Sequence, residues 1–110
     1  MDPHVLSAER SLAYHRAVAE RLRREPEILA RVRARVEQDI ARGGRAVHYH
    51  ERWRAVLARP VEEVLAFLVD PGEEACDLHR ATPFAGVADA RERWRIWRDV
   101  RERLEGCEPH

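Results

Sequence analysis

The run Pro83-Phe84-Ala85-Gly86-Val87-Ala88-Asp89-Ala90-Arg91-Glu92-Arg93-Trp94-Arg95-Ile96-Trp97-Arg98-Asp99-Val100-Arg101-Glu102-Arg103-Leu104 reads as an ordered loop followed by the best-marked helix of the chain. Asp89 is placed to cap that helix, because its carboxylate can accept from the free backbone N–H groups of a first turn. Glu92 stands three residues on, where it can reach back to the cap N–H in a variant of the capping box. Trp94, Trp97, Val100 and Leu104 then recur at helical spacing, with Ile96 beside them. Six arginines and the acids Asp99, Glu102 and Glu105 take other positions, and Gly106 ends the helix, since glycine tolerates a left-handed backbone. The segment Pro83 to Val87 reads as an apolar loop that pins Phe84 and Val87 beneath the closing helix. Two readings of the indoles stand side by side. One is a packed core. The other is a partner-binding patch, because tryptophan and arginine are enriched at binding hot spots.

Upstream, the pattern is helical throughout. Ser7 can cap a first helix reaching to about Arg24, after a loose entry from Met1 to Leu6. Leu12, His15, Val18, Ala19 and Leu22 form its apolar stripe, with His15 read as a buried, hydrogen-bonded histidine. Pro26 is tolerated in a first turn and opens a second helix, to about Arg42. Leu29, Val32, Val36 and Ile40 make a narrow seam suited to one neighbouring helix. The short join between these two helices favours an antiparallel hairpin. Gly43-Gly44 stops the second helix. Ala46 to Ala58 is the third, with Val47, Tyr49 or His50, Trp53, Val56 and Leu57 available for burial. Pro60 begins a fourth, with Val61, Val64, Leu65 and Leu68 on its inner face, ended by Asp70-Pro71-Gly72. Glu73 to Arg80 is a short fifth, stopped by Thr82-Pro83. No stretch alternates apolar and polar residues as a strand would. The expectation is an all-α, compact bundle of five to six helices, forming a single helical domain over residues 1–110.

A chain of 110 residues can bury roughly 65% of its unfolded surface, enough for a modest core without metal or disulfide staples. Twenty basic residues balance twenty acidic ones, so net charge argues neither for nor against nucleic acid. All twenty basic residues are arginine, the composition of a GC-rich genome. No apolar run is long enough to span a bilayer. Met1-Asp2-Pro3-His4 lacks the features of a signal peptide, so the expected location is the cytoplasm. There Cys76 and Cys107, far apart and in no paired spacing, are expected to be free thiols.

Charge is unevenly spread. Residues 1–50 hold ten arginines against seven acids, whereas residues 61–79 hold six acids (Glu62, Glu63, Asp70, Glu73, Glu74 and Asp77) and no arginine. Such an acidic band is either a solvated helix face or a surface that meets a basic groove on another protein. Arg31, Arg33 and Arg35, on the outer side of the second helix beside Arg23 and Arg24, are the best case for DNA contact, although Glu37 and Asp39 interrupt them.

Catalytic and metal motifs are weak. His48 and His50 are followed by Glu51, but residues two apart on a helix point about 200° away from each other, so both imidazoles cannot chelate there. Cys76 and His79 could face each other on a helix, yet no oxyanion loop or orienting acid accompanies them. No phosphate-binding glycine loop and no nucleophile elbow is present. Neither a cofactor nor a metal is expected.

Two segments carry a family resemblance. Ser11-Leu12-Ala13-Tyr14-His15-Arg16-Ala17-Val18-Ala19-Glu20-Arg21-Leu22 resembles the opening of a group of small proteins from GC-rich bacteria. Pro83-Phe84-Ala85-Gly86-Val87, with Arg91-Glu92-Arg93-Trp94-Arg95-Ile96-Trp97-Arg98, resembles their closing signature. These proteins are similar to antitoxin partners in bacterial toxin–antitoxin pairs, including pairs whose toxin is a nucleotidyltransferase. The present chain has Val87-Ala88-Asp89-Ala90 where that group has Leu-x-Pro, a change that keeps the Asp89 cap.

The resemblance implies a protein-binding, antitoxin-like regulator that neutralises a cognate toxin by direct contact and is no enzyme. Glu62, Glu63, Glu73 and Glu74 would oppose a basic groove on the toxin, and Phe84, Trp94 and Trp97 would anchor the interface. The rival from another class is a DNA-binding transcriptional regulator using the arginine-rich helices. A deep cavity ringed by converging ionisable groups, or a central sheet, is incompatible with this account.

Overall fold

The computed structural model describes residues 2–106. Six helices follow one another: α1 (Pro3–Arg24), α2 (Glu27–Arg42), α3 (Val47–Leu57), α4 (Val61–Leu68), α5 (Glu73–His79) and α6 (Ala90–Gly106). No strand occurs among the described residues, so the fold is the all-α bundle that the spacing implies. Met1 and Cys107 lie outside the described residues; Cys76 is a free thiol. Among the described residues no helix is long and apolar enough to cross a membrane.

The first helix starts a turn earlier than Ser7. Asp2 caps it, accepting from the His4 N–H at 2.9 Å, and Pro3 takes its first position. Both residues suit those places: the carboxylate satisfies a free amide, and proline has no amide there to leave unbonded. The result is a 22-residue rod that touches α2, α4, α5 and α6. Its stripe of Leu12, Tyr14, His15, Val18, Ala19 and Leu22 is buried.

The second helix packs chiefly along α3 rather than forming its main pairing with α1. Leu29, Val32 and Val36 are buried in a core shared with Trp53, Val56 and Leu57 of α3. Glu37 bonds Arg54, and Arg33 reaches the Leu57 carbonyl, so the two helices run antiparallel. The expected α1–α2 hairpin therefore gives way to an α2–α3 hairpin, because the stripe of α1 is covered by other elements. Gly43 and Gly44, with φ of +76° and +105°, make the turn, a backbone shape that side chains disfavour.

Trp53 is fully buried; its indole N–H donates to the Leu78 carbonyl at 3.0 Å. The rings of Phe67 and Phe84 meet it edge-on at 5.5 and 5.8 Å. Val64, Leu65 and Leu68 of α4 complete this core, whereas Val61, at the open first turn of that helix, is exposed.

Among the described helices, the last packs against α1 alone. Arg103 pairs with Glu9 and Arg21 with Glu92, so α6 runs antiparallel to α1. Asp89 caps it, accepting from the Glu92 N–H at 2.8 Å. The return arm of the expected capping box is replaced, because the Glu92 carboxylate turns to Arg21 at 3.4 Å.

The buried phase of α6 also differs from the indole stripe. Val100 is its one buried side chain, with Ile96 and Leu104 partly covered on either side. At about 100° per residue, Trp94 lies roughly 120° round the helix from Val100, and Arg93 only about 20° from it. The indole phase and the buried phase share Val100 and Leu104 and diverge in the first half of the helix, where Ile96 and not Trp94 or Trp97 is turned inward.

Candidate functional site

The segment between α5 and α6 is ordered by side chains of α1. The Tyr14 hydroxyl donates towards the Phe84 and Ala85 carbonyls, at 2.6 and 3.0 Å, and accepts from the Ala88 N–H at 3.3 Å. Burial pushes the phenol above its usual range. Arg21 donates to the Val87 carbonyl at 3.0 Å. Tied in this way, Phe84 is held in the core against Trp53.

His15 sets the floor of the same region. Its Nδ1 faces the Ser11 carbonyl at 2.8 Å, which can only accept, so Nδ1 carries the proton. Nε2 is then bare and accepts from the Thr82 hydroxyl at 2.9 Å, while the Thr82 oxygen accepts from the Phe84 N–H at 3.1 Å. His79 stacks on His15, with ring centroids 4.1 Å apart and planes 13° from parallel. Burial, and secondarily the charge of His79, lowers the His15 pKa to about 4. Burial lowers that of His79 as well. Both imidazoles are therefore neutral near pH 7.

Above this pair lies an open groove of about 510 Å³ between α1 and α6. Pro3, Leu6, Ala85 and Trp97 give it apolar walls; Arg10 and Arg93 bring a guanidinium from each helix. Arg10 also lies over the Trp97 ring, 5.9 Å from its centroid, at the outer limit of a cation–π contact. Arg10, His15, His79 and Arg93 line it, but it is an open groove and not the deep cavity that would be incompatible with the account above. A partial signal existed. Ser7, Arg10, Ser11 and Tyr14 share one face of α1, as do Arg93 and Trp97 of α6. That these two faces meet over the α5–α6 segment is a tertiary fact.

The residues expected to bind a partner divide. Trp94 and Trp97 are open to solvent, at 60% and 38% exposure, with Arg98 over the Trp94 ring at 5.2 Å. Phe84 is fully buried and offers nothing to a partner in this form, which corrects its place in the expected interface. Glu62, Glu63, Glu73 and Glu74 are exposed on α4 and α5, with Glu62 3.9 Å from Arg23.

The basic face of α2 is smaller than its sequence implies. Arg33 is turned onto the end of α3, donating to the Leu57 carbonyl at 2.7 Å and the Arg59 carbonyl at 3.4 Å. Arg35 pairs with Asp39 at 3.4 Å.

The remaining candidates do not converge. Cys76 donates to the Pro71 carbonyl at 3.4 Å, while His79 bonds the Phe67 carbonyl at 3.2 Å, so the two turn to different neighbours. His48 lies against the Tyr49 ring at 4.0 Å. Among the described residues no group of three or more His, Cys, Asp and Glu side chains is placed to hold a metal ion. No family model, curated protein or solved structure matches the chain.

Proposed function

We propose that this chain is a protein-binding regulator of the antitoxin kind, which neutralises a cognate toxin in the cytoplasm by direct contact rather than by turning over a substrate. The observation that carries the binding half of this reading is the exposure of Trp94 and Trp97 on a helix with a single packed neighbour. Exposed indoles beside arginines are the side chains most often found at the energetic centre of protein interfaces. The toxin half, with a nucleotidyltransferase as one candidate partner, rests on the resemblance of the two sequence segments. An enzyme of that class holds nucleotide phosphates in a basic groove, which Glu62, Glu63, Glu73 and Glu74 would complement.

The test is co-expression with the product of the adjacent gene, scoring growth and co-purification. The double variant Trp94→Ala/Trp97→Ala is expected to lose capture at least a hundredfold, the scale of a hot-spot pair. Reversing the four glutamates to arginine is expected to slow association and to change its salt dependence. A toxic neighbour captured equally well by all three proteins would remove both surfaces from the account. A salt-steep shift of promoter DNA, with no capture of the neighbour, would move the assignment to the DNA-binding rival.

A further inference from the structure

We infer that the groove between α1 and α6 is a binding site for a small amphiphilic acid, an apolar body carrying a carboxylate or phosphate head. Unmet hydrogen-bonding capacity accumulates there. Four buried side-chain polar atoms among the described residues have no partner: Arg10 Nε, His50 Nδ1, His79 Nδ1 and Arg93 Nε. Three of the four belong to residues lining this one groove. A buried N–H without an acceptor is costly, and two such arginine donors line this one groove.

The nearby acids do not answer them. Glu9 is held by Arg103 at 3.1 Å and Glu92 by Arg21 at 3.4 Å. Two guanidinium groups are thus left at an apolar groove, and the fork of arginine suits carboxylate and phosphate oxygens. Below them, His79 uses Nε2 to donate to the Phe67 carbonyl, which leaves Nδ1 as a bare acceptor for a hydroxyl of the ligand or for water.

The volume of about 510 Å³ falls in the range of small-molecule sites. Its apolar walls favour a ligand with a hydrocarbon or aromatic body. This site shares Trp97 with the partner surface proposed above but adds Arg10 and Arg93, and its occupant is a free small molecule, so it does not depend on that partner.

The test uses the purified chain alone, titrated calorimetrically with octanoate, octyl phosphate, octanol and octylamine. Either acid is expected to bind at least tenfold tighter than octanol, and octylamine not at all. The preferred acid identifies the head group. Arg10→Gln and Arg93→Gln are each expected to weaken the acid about tenfold or more, and the double variant to leave it no tighter than octanol. Melting temperatures show whether the variants remain folded.

A second measurement needs no variant. In amide spectra of the wild-type chain, Arg10, Ser11, Arg93 and Trp97 are expected to shift on addition of the acid, while α2 and α3 stay still. Octanol binding as tightly as octanoate, shifts spread over the whole surface, or no binding of either acid at millimolar concentration would each overturn the assignment. Retention of partner capture by the folded Arg10→Gln/Arg93→Gln protein would separate this site from the partner surface.

Discussion

The α2–α3 seam and the α1–α6 seam are both antiparallel helix pairs, but they are closed by different means. Between α2 and α3, Leu29, Val32, Val36, Trp53, Val56 and Leu57 are all buried. Polar groups finish that seam at its edge. Arg33 satisfies the carbonyls at the end of α3, and Arg54 grips Glu37 through two bonds of 2.7 and 2.8 Å. That fork holds the Glu37 carboxyl below its usual range. Between α1 and α6, the 17 residues of the outer helix contribute a single buried side chain, Val100. Its two tryptophans face water, and two arginine Nε atoms find no acceptor. A seam built only for stability would turn those indoles inward. Leaving them out, beside unmet polar capacity, is what supports the proposal that the α1–α6 side is the one that meets other molecules.

The largest test of that contrast compares tryptophans. Trp53→Ala removes a fully buried indole and leaves the Leu78 carbonyl without its donor. It is expected to cost about 3–5 kcal/mol of unfolding free energy. Trp94→Ala is expected to change stability by no more than about 0.5 kcal/mol, since its ring is largely in water already. Urea unfolding of both variants measures the difference. Similar losses from the two would mean that α6 is held by its indoles, and the contrast would collapse.

Acid provides the second test, because burial holds the imidazoles at the floor of the α1–α6 groove below their ordinary pKa. Burial, and secondarily the charge of His79, pushes the His15 pKa down to about 4 from the ordinary histidine value of 6.5. Between those values the unfolded chain binds more protons, so stability is full above about pH 6.5 and falls as pH drops towards about 4. A shift of this size corresponds to about 3 kcal/mol, and His79, also lowered, steepens the same descent. Protonation would place a cation against a stacked neighbour 4.1 Å away. His15→Gln is expected to be less stable at pH 7 yet to lose most of this dependence. Urea midpoints between pH 7 and pH 4 measure it; a wild-type curve as flat as that of the variant would contradict the assignment.

The contrast also explains what the amino-acid order reveals. The seam of α2 was legible because Leu29, Val32 and Val36 keep one helical phase, although Ile28 beside them is buried as well. His15 was legible for the same reason, on the inner stripe of α1. The face of α6 was not. A path through Trp94, Trp97, Val100 and Leu104 and a path through Ile96, Val100 and Leu104 are both helical, and the indoles are the bulkier markers. Only the position of α1 selects the second path. Burial of Phe84 likewise depends on Tyr14 and Trp53, which lie far from it in sequence and close in space. The groove is still less legible, since Arg10, His79 and Arg93 come from three helices and share no local spacing.

The smallest expected effect sharpens the comparison most. Asp89 caps α6 through the Glu92 amide at 2.8 Å, and its removal in Asp89→Ala is expected to cost about 1 kcal/mol. Where that loss appears matters more than its size. A helix with one buried side chain and one neighbour has little tertiary packing to offset a weakened first turn. Its amides should open in local fluctuations below the global unfolding energy. Hydrogen exchange of Asp89→Ala is therefore expected to rise about fivefold in α6, the exchange equivalent of that loss, while α2 and α3 exchange as in the parent chain. A uniform rise across all the helices would show that α6 unfolds only with the rest, and that its exposed indoles ride on a seam as firm as the one between α2 and α3.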